Sequence, residues 1–331
     1  MNGAHALAVN SATSGLHLAL EAIGIRSGDE VILPTLTFAA TAEAVQYLGA
    51  RPVYVDVEPD TLNMNPELIE AIINERTRAI VPVHYGGLAC NMPAIWEIAS
   101  RKNMLVVEDA AHAFGSTVGE IPVGAGCSAA TVFSFYTTKC ITTGEGGMVM
   151  TPHLFLAKRM SKMRLHGIDR DAFDRFSQKN GWEYDVVASG FKYNMPDLLA
   201  AIGNVQVDRM QEMRERRAEI AGQYTSAFEG LPLKLPVEIK GWAHSWHLYV
   251  VRLEKGDRRK FIEKMAELGV MCSVHYRPLH KMSYWKRYGE NDYPVADAAW
   301  ESCVSLPIYS SMTDDQVGKV VSTVGKACRT L

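Results

Sequence analysis

The sequence predicts an α/β fold, with a mostly parallel central sheet carrying helices on both faces and a smaller α+β domain after it. Three observations predict it. Short apolar, β-type runs alternate with helical stretches over the first two-thirds of the chain, as in repeated strand–helix units. The chain has 331 residues, 47% of them hydrophobic, enough for a large core and two domains. Chemically useful side chains, an acid and then a lysine, follow two of the apolar runs, and open parallel sheets bind ligands at the carboxyl ends of their strands.

The elements follow in order. A strand over 6–9 leads into a helix over 13–23, whose Leu16, Ala19, Leu20 and Ile23 share one face. Buried strands are expected at 30–33, 52–57, 79–83, 105–108, 130–135 and 147–150. Helices over 38–48, 66–74 and 92–102 fall between them. Asn65 before Pro66 reads as a cap residue followed by a first-turn proline. The stretch 166–193 lacks periodicity, and loops of that length are functional or disordered. Its Trp182, Tyr184, Phe191 and Tyr193 argue against disorder. Residues 196–228 read as one long helix or a bent pair. The remainder gives a strand over 247–253, a helix over 258–268, a strand over 270–275 and a terminal helix over 313–328. The expected division is a large domain over 1–205 and a small one over 206–331.

Composition narrows the function. The net charge of −3 offers no basic field for nucleic acid or a membrane surface. No apolar run is long enough to span a bilayer, and no signal peptide is visible. The six cysteines contain no C-x-x-C pair, which suits reduced thiols in a cytoplasmic enzyme and gives no metal framework. Cys140, beside Lys139, reads as a small space-filling residue or a redox handle.

The centre of the chemistry is Lys139, in V-F-S-F-Y-T-T-K-C-I-T-T-G-E-G-G-M-V-M-T. It lies between an apolar run and a glycine-rich return. Burial favours the neutral amine, the form that makes a Schiff base with an aldehyde. Thirty residues upstream, L-V-V-E-D ends a strand in Asp109. A carboxylate there suits the pyridinium nitrogen of pyridoxal phosphate, whose ring it keeps an electron sink. The pair outweighs the ordinary readings of a solvated loop lysine and a turn aspartate. The segment Asn10-Ser11-Ala12-Thr13-Ser14-Gly15 opens the first helix, either as a plain cap or as a phosphate cradle. Ser134 could add a hydroxyl to that phosphate or bond to backbone. His112 could face the cofactor ring or be structural. Phe38 could stack on the ring or join the core.

Seven motifs, running from A-L-A-V-N-S-A-T-S-G through V-V-E-D-A-A-H-A-F-G-S and S-F-Y-T-T-K-C-I-T-T-G-E-G-G to G-F-K-Y-N-M-P-D-L-L, resemble the DegT-type nucleotide-sugar aminotransferases. The resemblance covers nearly the whole chain. It implies the aspartate-aminotransferase architecture, fold type I of the pyridoxal-phosphate enzymes. The motifs are most similar to those of the branch that makes UDP-4-amino-4-deoxy-L-arabinose. It further implies that Lys139 carries the cofactor and Asp109 pairs with its pyridinium. His112 contacts the ring hydroxyl, Phe38 stacks on the ring, and Ala12, Thr13 and Ser134 hold the phosphate. Asn194 reaches the phosphate of a neighbouring subunit, which implies a homodimer with shared sites. His280, in V-H-Y-R-P-L-H, is the implied substrate contact. Glutamate, giving 2-oxoglutarate, and a nucleotide-linked keto-sugar are the implied substrates, in polysaccharide or lipopolysaccharide synthesis. Relatives carry several dozen residues before the first motif, holding a helix and a loop that closes over the site. Here Met1 stands just before that motif. The expectation is a chain that binds cofactor and aminates keto-sugars poorly, the alternative being a non-catalytic or weakly active regulator or partner subunit of the same fold.

Overall fold

The computed structural model describes residues 4–169 and 184–329. Its first part is built from strand β1 (His5–Val9), helix α1 (Ala12–Ala22), β2 (Glu30–Pro34), α2 (Ala39–Tyr47), β3 (Arg51–Val55), β4 (Thr77–Ile80), α3 (Met92–Arg101) and β5 (Leu105–Asp109). A two-residue hairpin follows, β6 (Thr117–Val118) with β7 (Ile121–Pro122), and then β8 (Ala130–Ser134), β9 (Gly147–Thr151) and α4 (Leu154–Met163). The seven-stranded sheet has the order β1-β9-β8-β5-β4-β2-β3. The pairs from β3 across to β8 are parallel, while β9 runs against both β8 and β1. β2 and β8 are buried at every position, as strands covered on both faces must be.

Two glycines set how closely the layers meet. A Cβ on Gly15 would lie 2.7 Å from a Val132 methyl, so glycine there lets α1 sit directly on β8. A Cβ on Gly147 would lie 2.8 Å from both the Ala12 nitrogen and the Phe133 oxygen. Backbone cannot yield as a side chain can, so glycine here lets β9 pass against the start of α1.

The second part holds α5 (Asp197–Asp208), α6 (Met210–Phe228), β10 (Leu233–Lys234), β11 (Tyr249–Leu253), α7 (Arg258–Glu267), α8 (Pro294–Ser302), β12 (Cys303–Leu306) and α9 (Asp314–Cys328). β10, β11 and β12 form an antiparallel sheet, and the core between it and the helices draws on Tyr224, Phe228, Tyr249, Phe261 and Val324. Leu248, Leu279, Trp285 and Ala299 instead pack into the core of the large sheet. The later chain therefore returns across residue 205 to the first layer system. No helix among the described residues is long and apolar enough to cross a membrane.

Several elements differ from the sequence reading. The helix expected over 66–74 is two short 3-10 turns, Pro66–Leu68 and Glu70–Ile72. Its end is drawn away by Asn74, whose N–H donates to Thr77 Oγ1 at 3.0 Å and whose amide donates to Glu30 Oε2 at 2.6 Å. The strand expected over 270–275 is a single bridge, Ser273 with Ser305. Beyond it the chain leaves the sheet and carries His275 and Tyr276 to the main cavity. The 196–228 stretch is the bent pair, α5 then α6, broken at Arg209. α4, α8 and the short strands β6, β7, β10 and β12 lie where the sequence pattern predicts no element. Trp182 lies outside the described residues.

Candidate active site

The carboxyl ends of β5 and β8, the first turn of α1 and the start of α2 surround a cavity of about 490 Å³. Ala12, Thr13, Phe38, Asp109, His112, Ser134 and Lys139 all line it. These are side chains from four separate segments, brought together because the strands that precede them, β1, β2, β5 and β8, end on one edge of the sheet.

At one end is the first turn of α1. Ser11 caps the helix, its hydroxyl accepting from the Ser14 N–H at 3.1 Å, and Ser14 Oγ donates to Asn10 Oδ1 at 2.7 Å. The cap therefore uses Ser11, and the first-turn N–H groups of Ala12 and Thr13 remain available to an anion at the positive end of the helix. Ser134, at the end of β8, takes the Tyr136 N–H on its hydroxyl at 3.3 Å, which leaves its own O–H free to donate into the cavity.

At the other end is Asp109. Thr41 Oγ1 donates to its Oδ2 at 2.8 Å, and the Ala111 N–H donates to its Oδ1 at 3.1 Å. Burial pushes its carboxyl up from the ordinary value, opposed by those two hydrogen bonds and by the Lys139 charge. Among the described residues no cation makes an ion pair with it. A buried carboxylate held in place by neutral donors is suited to a cationic ligand nitrogen.

Lys139 stands on the wall between them, half-buried. Its amine is pulled down from 10.5 to about 8, by burial first, with Asp109 and Cys140 opposing. Its Nζ lies 3.5 Å from His247 Nε2. Burial drives His112 and His247 well below the usual histidine value, and His275 to about 4. All three rings are thus neutral near pH 7, and among the described residues no carboxylate makes an ion pair with the amine. The nucleophilic amine is therefore populated once pH passes about 8. Capture of pyridoxal phosphate by apoprotein should accelerate as pH rises through about 8 and level off above it. Stopped-flow absorbance measures this, and a rate still climbing toward pH 10.5 would show an amine that is not desolvated.

The rings arrange themselves around the same space. The Gly86 N–H donates to His112 Nδ1 at 3.3 Å, so the neutral ring carries its proton on Nε2, which donates to Tyr276 Oη at 3.0 Å. Phe38, the residue before α2, is 60% exposed and faces the cavity 5.8 Å from the Tyr276 ring. An exposed phenyl at a cavity wall is placed to cover a flat ligand.

Two expected site residues lie elsewhere. Asn194 bridges Val9 at the end of β1, and it does not line the cavity of its own chain. His280 has both ring nitrogens taken by protein groups, Nδ1 by Thr35 Oγ1 at 2.6 Å and Nε2 by Asp297 Oδ1 at 2.8 Å. It ties the segment after β2 to helix α8, outside the cavity. Tyr276, four residues earlier in the same motif, reaches the cavity instead. Thr41 and His247 carry no sequence signal of their own, whereas Tyr276 lies in the V-H-Y-R-P-L-H motif. Thr41 could have been suggested by its place one helical turn after Phe38.

The family profile of the DegT/DnrJ/EryC1/StrS aminotransferases matches residues 1–325. The chain belongs to that family. It is 42% identical to SpsC of Bacillus subtilis, a spore coat polysaccharide biosynthesis protein, over 97% of this chain and 84% of that one. Among solved structures, Spr1654 of Streptococcus pneumoniae, described as a sugar aminotransferase, superposes in its PMP-form with a TM-score of 0.92 at 31% identity, over 98% of this chain and 88% of that one. The aminotransferase TlmJ of Streptoalloteichus hindustanus gives 0.90 at 33%, over 98% and 86%. Aminotransferases of this family use pyridoxal phosphate, and the cavity fits it: a helix N-terminus and Ser134 for the phosphate, Asp109 for the ring nitrogen, Phe38 for the ring face and Lys139 for the aldehyde. The fold is that of the fold type I transferases.

Proposed function

We propose that this chain transfers an amino group from glutamate to a nucleotide-linked keto-sugar, specifically a UDP-4-keto-sugar, in the synthesis of cell-surface polysaccharide or lipid A. The observation that carries the reading is the placement of Lys139 and Asp109 on one cavity with a phosphate-binding helix end between strands. Bound pyridoxal phosphate supplies an electron sink for charge that develops at the donor α-carbon. Lys139 Nζ, poised near neutrality, takes the proton from that carbon and returns it nearby, which is general acid–base work. Asp109 keeps a proton on the ring nitrogen through its fixed negative charge. His112 and Tyr276 orient the ring edge, and Phe38 excludes water from one face. Glutamate leaves as 2-oxoglutarate, and the sugar carbonyl carbon becomes an amine-bearing carbon.

SpsC, a polysaccharide biosynthesis protein, and Spr1654, described as acting on sugars, support the substrate class. The family resemblance supports glutamate, a cytoplasmic setting and a homodimer. The dimer also has a physical argument. α5 buries none of its residues, and Leu198, 82% exposed, shares one face with the exposed Ile202 and Val205. Such an apolar helix face suits a second copy. In that dimer Asn194, near the end of β1, would serve the partner's phosphate.

The test is direct. Adding glutamate to the cofactor-loaded protein should shift the cofactor absorbance, and one member of a panel of UDP-, dTDP- and GDP-linked keto-sugars should restore it. No shift with glutamate would refute the aminotransferase reading. Mixing Lys139→Ala protein with Asn194→Ala protein should recover activity, because mixed dimers place both defects in one site and leave the other intact.

A further inference from the structure

Phe191 and Tyr193 do not line the cavity, yet Tyr193 is tied to α1 at two levels. Its carbonyl accepts the Asn10 N–H at 2.8 Å, just before the helix starts. Its hydroxyl lies 3.1 Å from His17 Nδ1, in the second turn. The Asn10 amide also donates to the Lys192 carbonyl at 3.3 Å, while its oxygen takes the Ser14 hydroxyl. The segment is itself held from behind. The Phe191 N–H donates to the Met163 carbonyl at 2.7 Å, and the Tyr193 N–H to the Arg164 carbonyl at 2.9 Å, at the end of α4. The Phe191 and Tyr193 rings stack at 4.9 Å. The His17 ring, 5% exposed, packs 4.6 Å from Phe191 and 5.6 Å from Tyr47. His17 stands one turn after Thr13, on the same face of α1. A buried imidazole and a phenol that meet across 176 residues fix how the first two turns of α1 lie against this segment.

We propose that His17 and Tyr193 are positioning residues for the cofactor phosphate, holding the first turn of α1 so that the Ala12 and Thr13 N–H groups stay aimed at it. The inference rests on the placement of that phosphate at the start of α1. Helix-end N–H groups hold an anion through several directional bonds, so a small swing of the turn weakens them together. Ser11 caps the helix from within, which fixes the local turn but not how the helix sits in the fold. Asn10 and His17 lie on either side of that turn, and Tyr193 spans the two. A histidine that only filled the core would affect recognition of the phosphate and of the aldehyde alike when lost. A brace on the phosphate turn affects the first alone.

The test measures the dissociation constant of pyridoxal phosphate by dilution of the loaded protein, and in parallel that of pyridoxal, which has the same ring and aldehyde but no phosphate. Tyr193→Phe should weaken pyridoxal phosphate about 3- to 10-fold, the loss of one neutral hydrogen bond, and leave pyridoxal unchanged. His17→Phe keeps a ring between Tyr47 and Phe191 and should do the same. The double variant should be no worse than either single one, because the bond is lost once. If His17→Phe does not fold, Tyr193→Phe carries the test, since it removes a single oxygen. Equal weakening of both ligands would show a general loosening and overturn the proposal, as would unchanged pyridoxal phosphate affinity. In dimers mixed with Lys139→Ala protein, Tyr193→Phe should weaken the remaining aldehyde site when it shares a chain with the intact Lys139. Weakening only from the partner chain would assign the effect to Asn194 and overturn the proposal. Absence of an absorbance shift with glutamate would sink the amino-transfer reading and leave the brace standing, since neither ligand measurement involves the donor.

Discussion

Lys139→Ala should lower amino transfer by at least about 10⁴-fold, because it removes both the covalent anchor and the base that moves the α-proton. The fold should survive. Lys139 is half-buried at a cavity wall, and the contact its amine makes is a long one to His247. The helix end at Ala12 and Thr13, the Asp109 carboxylate and Phe38 all remain, so cofactor should still bind, reversibly. Borohydride treatment followed by peptide mapping checks the anchor. Wild-type protein should retain cofactor on the peptide that contains Lys139, and the variant should retain none. A tag on another lysine would transfer the role elsewhere.

Asp109→Asn should lower turnover by about 10²- to 10⁴-fold with the cofactor still bound, the range for loss of a preorganised charge at the reacting centre. The substitution is a clean probe here. An asparagine oxygen can still accept from the Ala111 N–H, and its amide can donate to Thr41 Oγ1, which then turns its hydrogen toward Thr37 Oγ1, at 3.1 Å. What disappears is the negative charge that holds the ring proton. The absorbance of bound cofactor should shift toward that of an unprotonated ring. Turnover within a few-fold of wild type would contradict the pairing.

Much of this site was legible because its parts are local. Asp109 ends an apolar run, Lys139 sits between such a run and a glycine-rich return, and Asn10 to Gly15 open a helix. Each pattern lies within a few residues, at the strand end where an open sheet binds ligands. The resemblance to the family then gave roles to Phe38, His112 and Ser134, which pattern alone left undecided. His280 shows where this stops. It lies in the right motif, but Thr35 and Asp297 occupy its two nitrogens, and Tyr276 is the side chain that reaches the cavity. The 66–74 segment shows the same limit for secondary structure. Asn65 and Pro66 do start a helical turn, but Asn74 is held by Glu30 and Thr77 before a full helix can form.

The sequence by itself determined the alternation of strands and helices, the placement of Asp109 and Lys139 after apolar runs, and the helix start at Asn10 to Gly15. Periodicity and strand ends are written in consecutive residues. The tertiary structure alone decided that Thr41 meets Asp109 across 68 residues, that His247 meets Lys139 across 108, and that Tyr276 meets His112 across 164. Such contacts follow from the order in which strands join the sheet and from the return of the later chain to its edge. No local pattern encodes that order, because the side chains it unites have no common spacing.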